Sequence, residues 1–133
     1  MDLDKTFGTD KSLEEDGVWI DLGDDSQIKI ARLGNKKSQE ISSKIQKNAQ
    51  MASKYSLTDL ADNDLNYVLA TAIIIDWKNI KVKGKILEYS SENAKKMLED
   101  YKDFRSLVIE LASEMETFRR VEVEEGKENL KKS

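Results

Sequence analysis

The one long apolar run in this sequence, residues 65–77, limits what the remaining residues can fold around. Apolar side chains recur at helical spacing from just before the run and through it, at Ala61, Leu65, Val68, Ala72 and Ile75. A helix with apolar residues on more than one face is normally buried, so the run predicts a central core helix. The three consecutive isoleucines at 73–75 leave a buried strand as the alternative. The run is too short for a bilayer span, which needs roughly 20 apolar residues.

Charged residues dominate the rest of the chain. They make up 36% of its 133 residues, against 38% hydrophobic residues. A chain of this length fits one domain with one core. We therefore predict a single globular domain over residues 17–121, with a flexible acidic arm at 1–16 and a disordered charged tail at 122–133.

The inventory of reactive side chains excludes several classes of protein. The net charge of −4 argues against a nucleic-acid partner. The sequence has no cysteine and no histidine, which removes thiolate nucleophiles, sulfur-ligated zinc and the commonest general base. No basic segment followed by an apolar one stands at the N-terminus. We expect a cytoplasmic, non-enzymatic protein with no cofactor, no metal and no membrane contact.

Periodicity divides the chain into one β-hairpin and four helices. Residues 18–22 and 27–33 alternate on either side of a Gly/Asp turn at 23–26, which predicts an antiparallel hairpin with Trp19 opposite the apolar face. Helical patterns follow over 36–52, through the apolar run, over 91–101 and from about 103 to 118. Gly84 is suited to the turn of a short ribbon or loop. The predicted fold is mainly α within the α+β class, with a small N-terminal β-hairpin packed on about four helices.

Three polar groupings could carry chemistry, and each also has a simpler interpretation. Asp21, Asp24 and Asp25 could attract calcium, but they lack the spacing of a calcium loop and are more typical of a solvated turn. Asp76 could act as an acid or base, or simply bond backbone or water. The lysines at 78, 81, 83 and 85 form either a phosphate-binding strip or a solvated face.

The last helical stripe, from Leu107 to Phe118, is either a core face or a groove for a partner helix. Because Met115 and Phe118 lie furthest from the expected core contacts, we predict that they are its most accessible part. Methionine adapts to varied apolar partners and phenylalanine buries a large area. The candidate partner-binding residues are Trp19, Leu111, Met115 and Phe118.

Several segments, in this order, resemble the tail assembly chaperones of long, non-contractile-tailed bacteriophages and prophages. They are Phe7, residues 14–23 (EEDGVWIDLG), residues 28–34 (IKIARLG), Asp76-Trp77, residues 89–94 (YSSENA), Leu98 and Phe118-Arg119. The resemblance covers nearly the whole chain. It departs at residues 78–88, where such proteins often have a loop with glycine and proline and this chain has one glycine.

The resemblance implies a role in virus assembly. A protein of this kind binds the helical, aggregation-prone tape-measure protein, keeps it soluble, helps to recruit tail-tube protein, and is absent from the finished virion. Self-association into a homo-oligomer stays open. The alternative is a structural tail or head–tail joining protein that remains in the particle and adds its hairpin to a neighbouring sheet. A small enzyme that uses carboxylates alone is the remaining alternative.

Overall fold

The computed structural model describes residues 1–49 and 61–119. Over these residues the fold is α+β, with about four main helices and a three-stranded antiparallel sheet near the N-terminus. The helices are α1 (Leu3–Phe7), α2 (Lys11–Asp16), α3 (Lys36–Ala49), α4 (Asp62–Val68), α5 (Ser91–Asp100) and α6 (Lys102–Ser113). The strands are β1 (Val18–Gly23), β2 (Ser26–Ile30), β3 (Ile74–Lys78), β4 (Lys81–Val82) and β5 (Lys85–Ile86). The predicted tail at 122–133 and the end of the predicted 36–52 helix lie outside the described residues.

The predicted hairpin is confirmed. Strand β1 pairs antiparallel with β2, and Ile28 and Ile30 of β2 are buried in the core. The turn between the strands places Asp24 and Asp25 at φ +52° and +63°, the left-handed values that tight hairpin turns require. Trp19 pairs with Lys29 in the register, on the opposite face of the sheet from the core.

The central apolar run is only partly helical, which corrects the prediction of one long core helix. Helix α4 gives way to a wider π-helical turn at Leu69–Ile73, and the backbone becomes extended at Ile74. Strand β3 then pairs with β2 and completes the sheet in the order β1-β2-β3. β-Branched isoleucines suit the pleated, buried surface that β2 offers, so the strand alternative holds for the second half of the run.

The core lies between one face of the sheet and the helices. Its largest fully buried apolar side chains come from the sheet, α4, the π-helical turn, α5, α6 and the segment after α6: Ile28, Ile30, Val68, Leu69, Ile73, Ile74, Leu98, Val108 and Phe118. The stripes predicted in α5 and α6 supply Leu98 and Val108, as amphipathic helices packed on a core should.

The N-terminal segment, predicted as a flexible arm, contains two short helices. Asp2 and Asp10 explain their formation, because each side chain accepts hydrogen bonds from backbone N–H groups at a helix start. Helix α2 also contacts the domain, since the carbonyl of Glu14 accepts bonds from the backbone N–H of Arg32 (2.9 Å) and from Asn35 Nδ2 (2.9 Å). Helix α1 has no buried residue. The mobility expected of this segment stays a prediction.

Candidate functional site

The four sequence-predicted partner-binding residues do not form one surface. Trp19 lies on the outer face of the sheet, half-buried beneath two ammonium groups. The Nζ of Lys78 is 4.4 Å and that of Lys29 5.9 Å from the centre of its ring, within the range of cation–π attraction. An aromatic ring covered by cations suits an acidic partner better than an apolar one.

Phe118 is fully buried, so the prediction that it is among the most accessible residues of the last stripe is wrong. Helix α6 ends at Ser113 because Glu114 is extended, and a 3-10 turn, Met115–Phe118, then directs the ring into the core. The Arg32 guanidinium lies 5.9 Å from that ring, and the Phe118 carbonyl accepts a bond from the backbone N–H of Asp10 (2.8 Å). Leu111 is half-buried, and the Met115 side chain lies outside the described part of the structure.

The structure contains an open apolar groove that sequence reasoning did not identify. It has a volume of about 280 Å³ and lies between the segment that follows β3 and the junction of α5 with α6. We call it the apolar groove; its apolar lining is Trp77, Ile80, Val82, Met97, Tyr101 and Phe104. Pockets for small organic ligands usually have about 300–1,000 Å³ and bury most of the ligand. An open groove at the lower limit suits one or two anchoring side chains of a larger partner.

Hydrogen bonds and ring contacts fix the floor of the apolar groove. Trp77 Nε1 donates to the carbonyl of Leu87 at 2.8 Å, and the indole meets the Tyr89 ring edge-on at a centroid distance of 5.3 Å. The Tyr89 hydroxyl donates to the carbonyl of Ile74 at 2.8 Å. Burial raises the pKa of Tyr89 above its usual value, and the charge of Asp76 adds to the shift. The phenol therefore stays protonated and keeps donating at neutral pH.

Two lysines, Lys81 and Lys83, line the same groove. They stand on either side of Val82 in a ribbon formed by β4 and β5, whose turn places Lys83 and Gly84 at φ +53° and +83°. Neither lysine takes part in the ion pairs found among residues 1–49 and 61–119. The predicted lysine strip thus divides, with Lys78 over Trp19 and Lys81 and Lys83 at the apolar groove.

The acidic side chains that the sequence singled out accept local hydrogen bonds from backbone N–H groups. Asp76 is a strand residue whose Oδ1 accepts a bond from the backbone N–H of Trp77 at 2.8 Å, in agreement with its simpler interpretation. Asp21 Oδ1 likewise accepts from the backbone N–H of Gly23 at 2.8 Å. Within the two described segments, no three acidic side chains converge as a metal site would require.

A second recess, of about 260 Å³, is polar. Arg105 Nη2 and Asp62 Oδ1 form an ion pair across 3.1 Å there, beside the buried amide of Asn66. Asn66 Oδ1 and Arg105 Nε have no hydrogen-bond partner among the described residues. A recess of this size and polarity has room for ordered water that would satisfy both atoms.

Comparison with known proteins gives an origin for the chain. In the described parts of the chain, no helix combines the length and apolar character that crossing a bilayer requires. No curated protein and no solved structure matches the sequence. Residues 25–129 match the model of a family described as YdaY prophage protein. The match spans most of the chain, including strands β2 to β5, the apolar groove and all helices from α3 onward, so the chain belongs to the YdaY prophage protein family.

Proposed function

We propose that this prophage protein is a tail assembly chaperone. It binds the tape-measure protein, keeps it soluble, helps to recruit tail-tube protein, and is left out of the mature virion. Two observations support the proposal: the chain belongs to a prophage protein family, and several of its segments resemble such chaperones in the same order along the sequence. Its place of action is the cytoplasm of the bacterial host, where tape-measure chains are made.

The open apolar groove is the observation that supports this role best. A chaperone for a helical client must expose apolar surface and yet stay monodisperse, and a small groove in a highly charged surface meets both needs. The proposal includes no catalytic activity; the chain has no histidine, the commonest general base, and no cysteine nucleophile. Binding alone is sufficient for the proposed task.

Co-expression tests the proposal directly. The tape-measure protein of the same prophage is expressed alone and together with this chain, and its soluble fraction and co-purification are measured. We expect aggregation of the tape-measure protein alone and a soluble complex in the presence of this chain. The YdaY-family chain should also be missing from purified particles by mass spectrometry. A tape-measure protein that stays insoluble and does not co-purify contradicts the proposal.

A structural role in the particle is the second candidate, and the position of β1 favours it. β1 lies at the edge of the sheet, and no other strand in the described residues pairs with its outer side. However, Asp21 and the register shift between Asp21 and Gly23 interrupt this edge, and both features discourage addition of a further strand. Detection of the chain in purified virions at the copy number of a tail component would favour the structural role.

A further inference from the structure

We infer that the apolar groove binds an acidic amphipathic helix: an apolar anchor of the helix enters the groove and carboxylates one turn away pair with Lys81 and Lys83. This inference rests on the proposed function for the source of the helix, the tape-measure protein. It adds the site on this chain and the chemistry of the segment that the site accepts.

The lining of the groove determines what can fill it. Trp77 and Met97 are buried at its base, whereas Tyr101 is 43% exposed at its side. Methionine and aromatic side chains adapt to apolar partners of different shapes. With about 280 Å³ available, the groove accepts one or two apolar side chains of a helix but not a whole folded domain.

The lysines determine the charge of the partner. Lys81 and Lys83 are exposed, line the groove, and lack an ion-pair partner in the described segments. Lys81 lies in β4 and Lys83 in the turn that follows it, on either side of Val82. Neighbours three or four apart on a helix are about 5–6 Å apart. An acidic residue one turn from the anchor therefore lies on the same face of the helix as the anchor, beside the ammonium groups that line the groove.

The turn of the ribbon holds these cations close to the apolar lining. The backbone N–H of Leu87 donates to the carbonyl of Ile80 at 2.8 Å, and β4 pairs with β5 between this bond and the turn. This closure leaves little freedom for Lys83 to move its backbone away from the groove. A partially pre-formed site loses less conformational entropy when its partner binds.

Binding is measured with overlapping synthetic peptides that span the tape-measure protein, using the fluorescence of Trp77. The chain has two tryptophans, so the full-length Trp19→Phe variant reports on the groove alone. We expect peptides that combine an apolar stripe with acidic flanks to change the Trp77 emission. Added salt should weaken their affinity, because the lysine contacts are exposed.

Two pairs of variants in this background test the lining and the charge separately. Tyr101→Ser should weaken binding at least about tenfold, as expected when an aromatic anchor contact is lost. Its control is Tyr67→Ser, which removes a tyrosine of similar exposure, 48%, outside the groove.

The second pair tests the charge. Lys81→Glu/Lys83→Glu should weaken binding by about tenfold or more and flatten the salt dependence. Its control, Lys11→Glu/Lys37→Glu, makes the same change in net charge at exposed helix starts, where glutamate is well tolerated.

The outcomes separate this inference from the proposed function. If the tape-measure protein binds the wild-type chain, and both groove variants bind as tightly as their controls, the function stands and the groove inference is overturned. If the wild-type chain binds no part of the tape-measure protein, the proposed function is overturned together with the inference.

Two other occupants of the groove give results of their own. A second copy of the chain would change Trp77 emission with protein concentration in the absence of peptide. A second possibility is that the acidic residues near the C-terminus of this chain occupy the groove. In that case the full-length Glu122→Gln/Glu124→Gln/Glu125→Gln variant would alter Trp77 emission in the absence of peptide. Either result overturns the assignment of the groove to a partner helix.

Discussion

Replacing Phe118 with alanine tests the burial that separates the structure from the sequence prediction. The ring is fully buried, and substitutions of this kind cost about 3–5 kcal/mol because they remove apolar contacts and leave a cavity. The variant also loses the Arg32 cation–π contact, whereas the backbone bond from Asp10 to the carbonyl of residue 118 is kept. The loss is a large part of the ~5–15 kcal/mol that stabilises a typical domain.

Urea denaturation followed by circular dichroism measures this loss. For a slope near 1.5 kcal/mol/M, within the usual range for small proteins, the midpoint should fall by about 2–3 M. Leu107→Ala is the control, since Leu107 belongs to the same predicted stripe but is 36% exposed, and it should cost about 1 kcal/mol. Equal and small losses for the two variants would refute the placement of Phe118 in the core. They would also restore Phe118 as a candidate contact for the client.

Three further substitutions test other parts of the fold. Ile73→Asp should abolish the cooperative thermal transition, because an unpaired charge in the core costs several kcal/mol; an unchanged midpoint would contradict the position of the π-helical turn. Gly17→Ala should lower stability by about 2 kcal/mol or more in the same melt, since φ is +92° and the new Cβ would lie 3.1 Å from Ile75 Cγ1; a neutral effect would contradict this close approach. The pKa of Tyr89 should lie above its usual value in an absorbance titration. The stability that the protonated phenol contributes should be complete below pH ~10 and should be lost as the pH rises through the raised pKa. Tyr89→Phe should remove this alkaline loss, and a retained loss would assign it to another group.

Local patterns in the sequence were sufficient for the hairpin and for the α5 and α6 stripes. Alternation around Gly23 determines β1 and β2, because strand faces and turn chemistry depend on neighbouring residues. The change from helix to strand at Ile74 depends instead on pairing with Ile30, which lies far away in the chain. The strand propensity of the isoleucines alone could only keep a strand as an alternative, since pairing with a distant strand decides whether such a segment becomes extended.

The apolar groove and the burial of Phe118 were harder to predict for the same reason. The groove joins residues after β3 with residues at the end of α5, and no spacing in the sequence connects them. The alternation of Ile80 and Val82 with lysines was its one local signal. Helix α6 ends at Ser113, with no glycine or proline at the break, so the predicted helical stripe continued past the true end of the helix and placed Phe118 on the wrong surface.

The contact between the two ends of the described chain affects how the protein is made. Thr9 and Arg119 form an isolated β-bridge, and Asp10 bonds to Phe118 beside it. A nascent chain that ends between residues 78 and 118 contains all three strands of the sheet but lacks both this closing contact and one of the largest core side chains. Because contacts so distant in sequence form slowly and only after both segments are synthesised, the domain should acquire protease resistance late in translation, after α6 has left the ribosome.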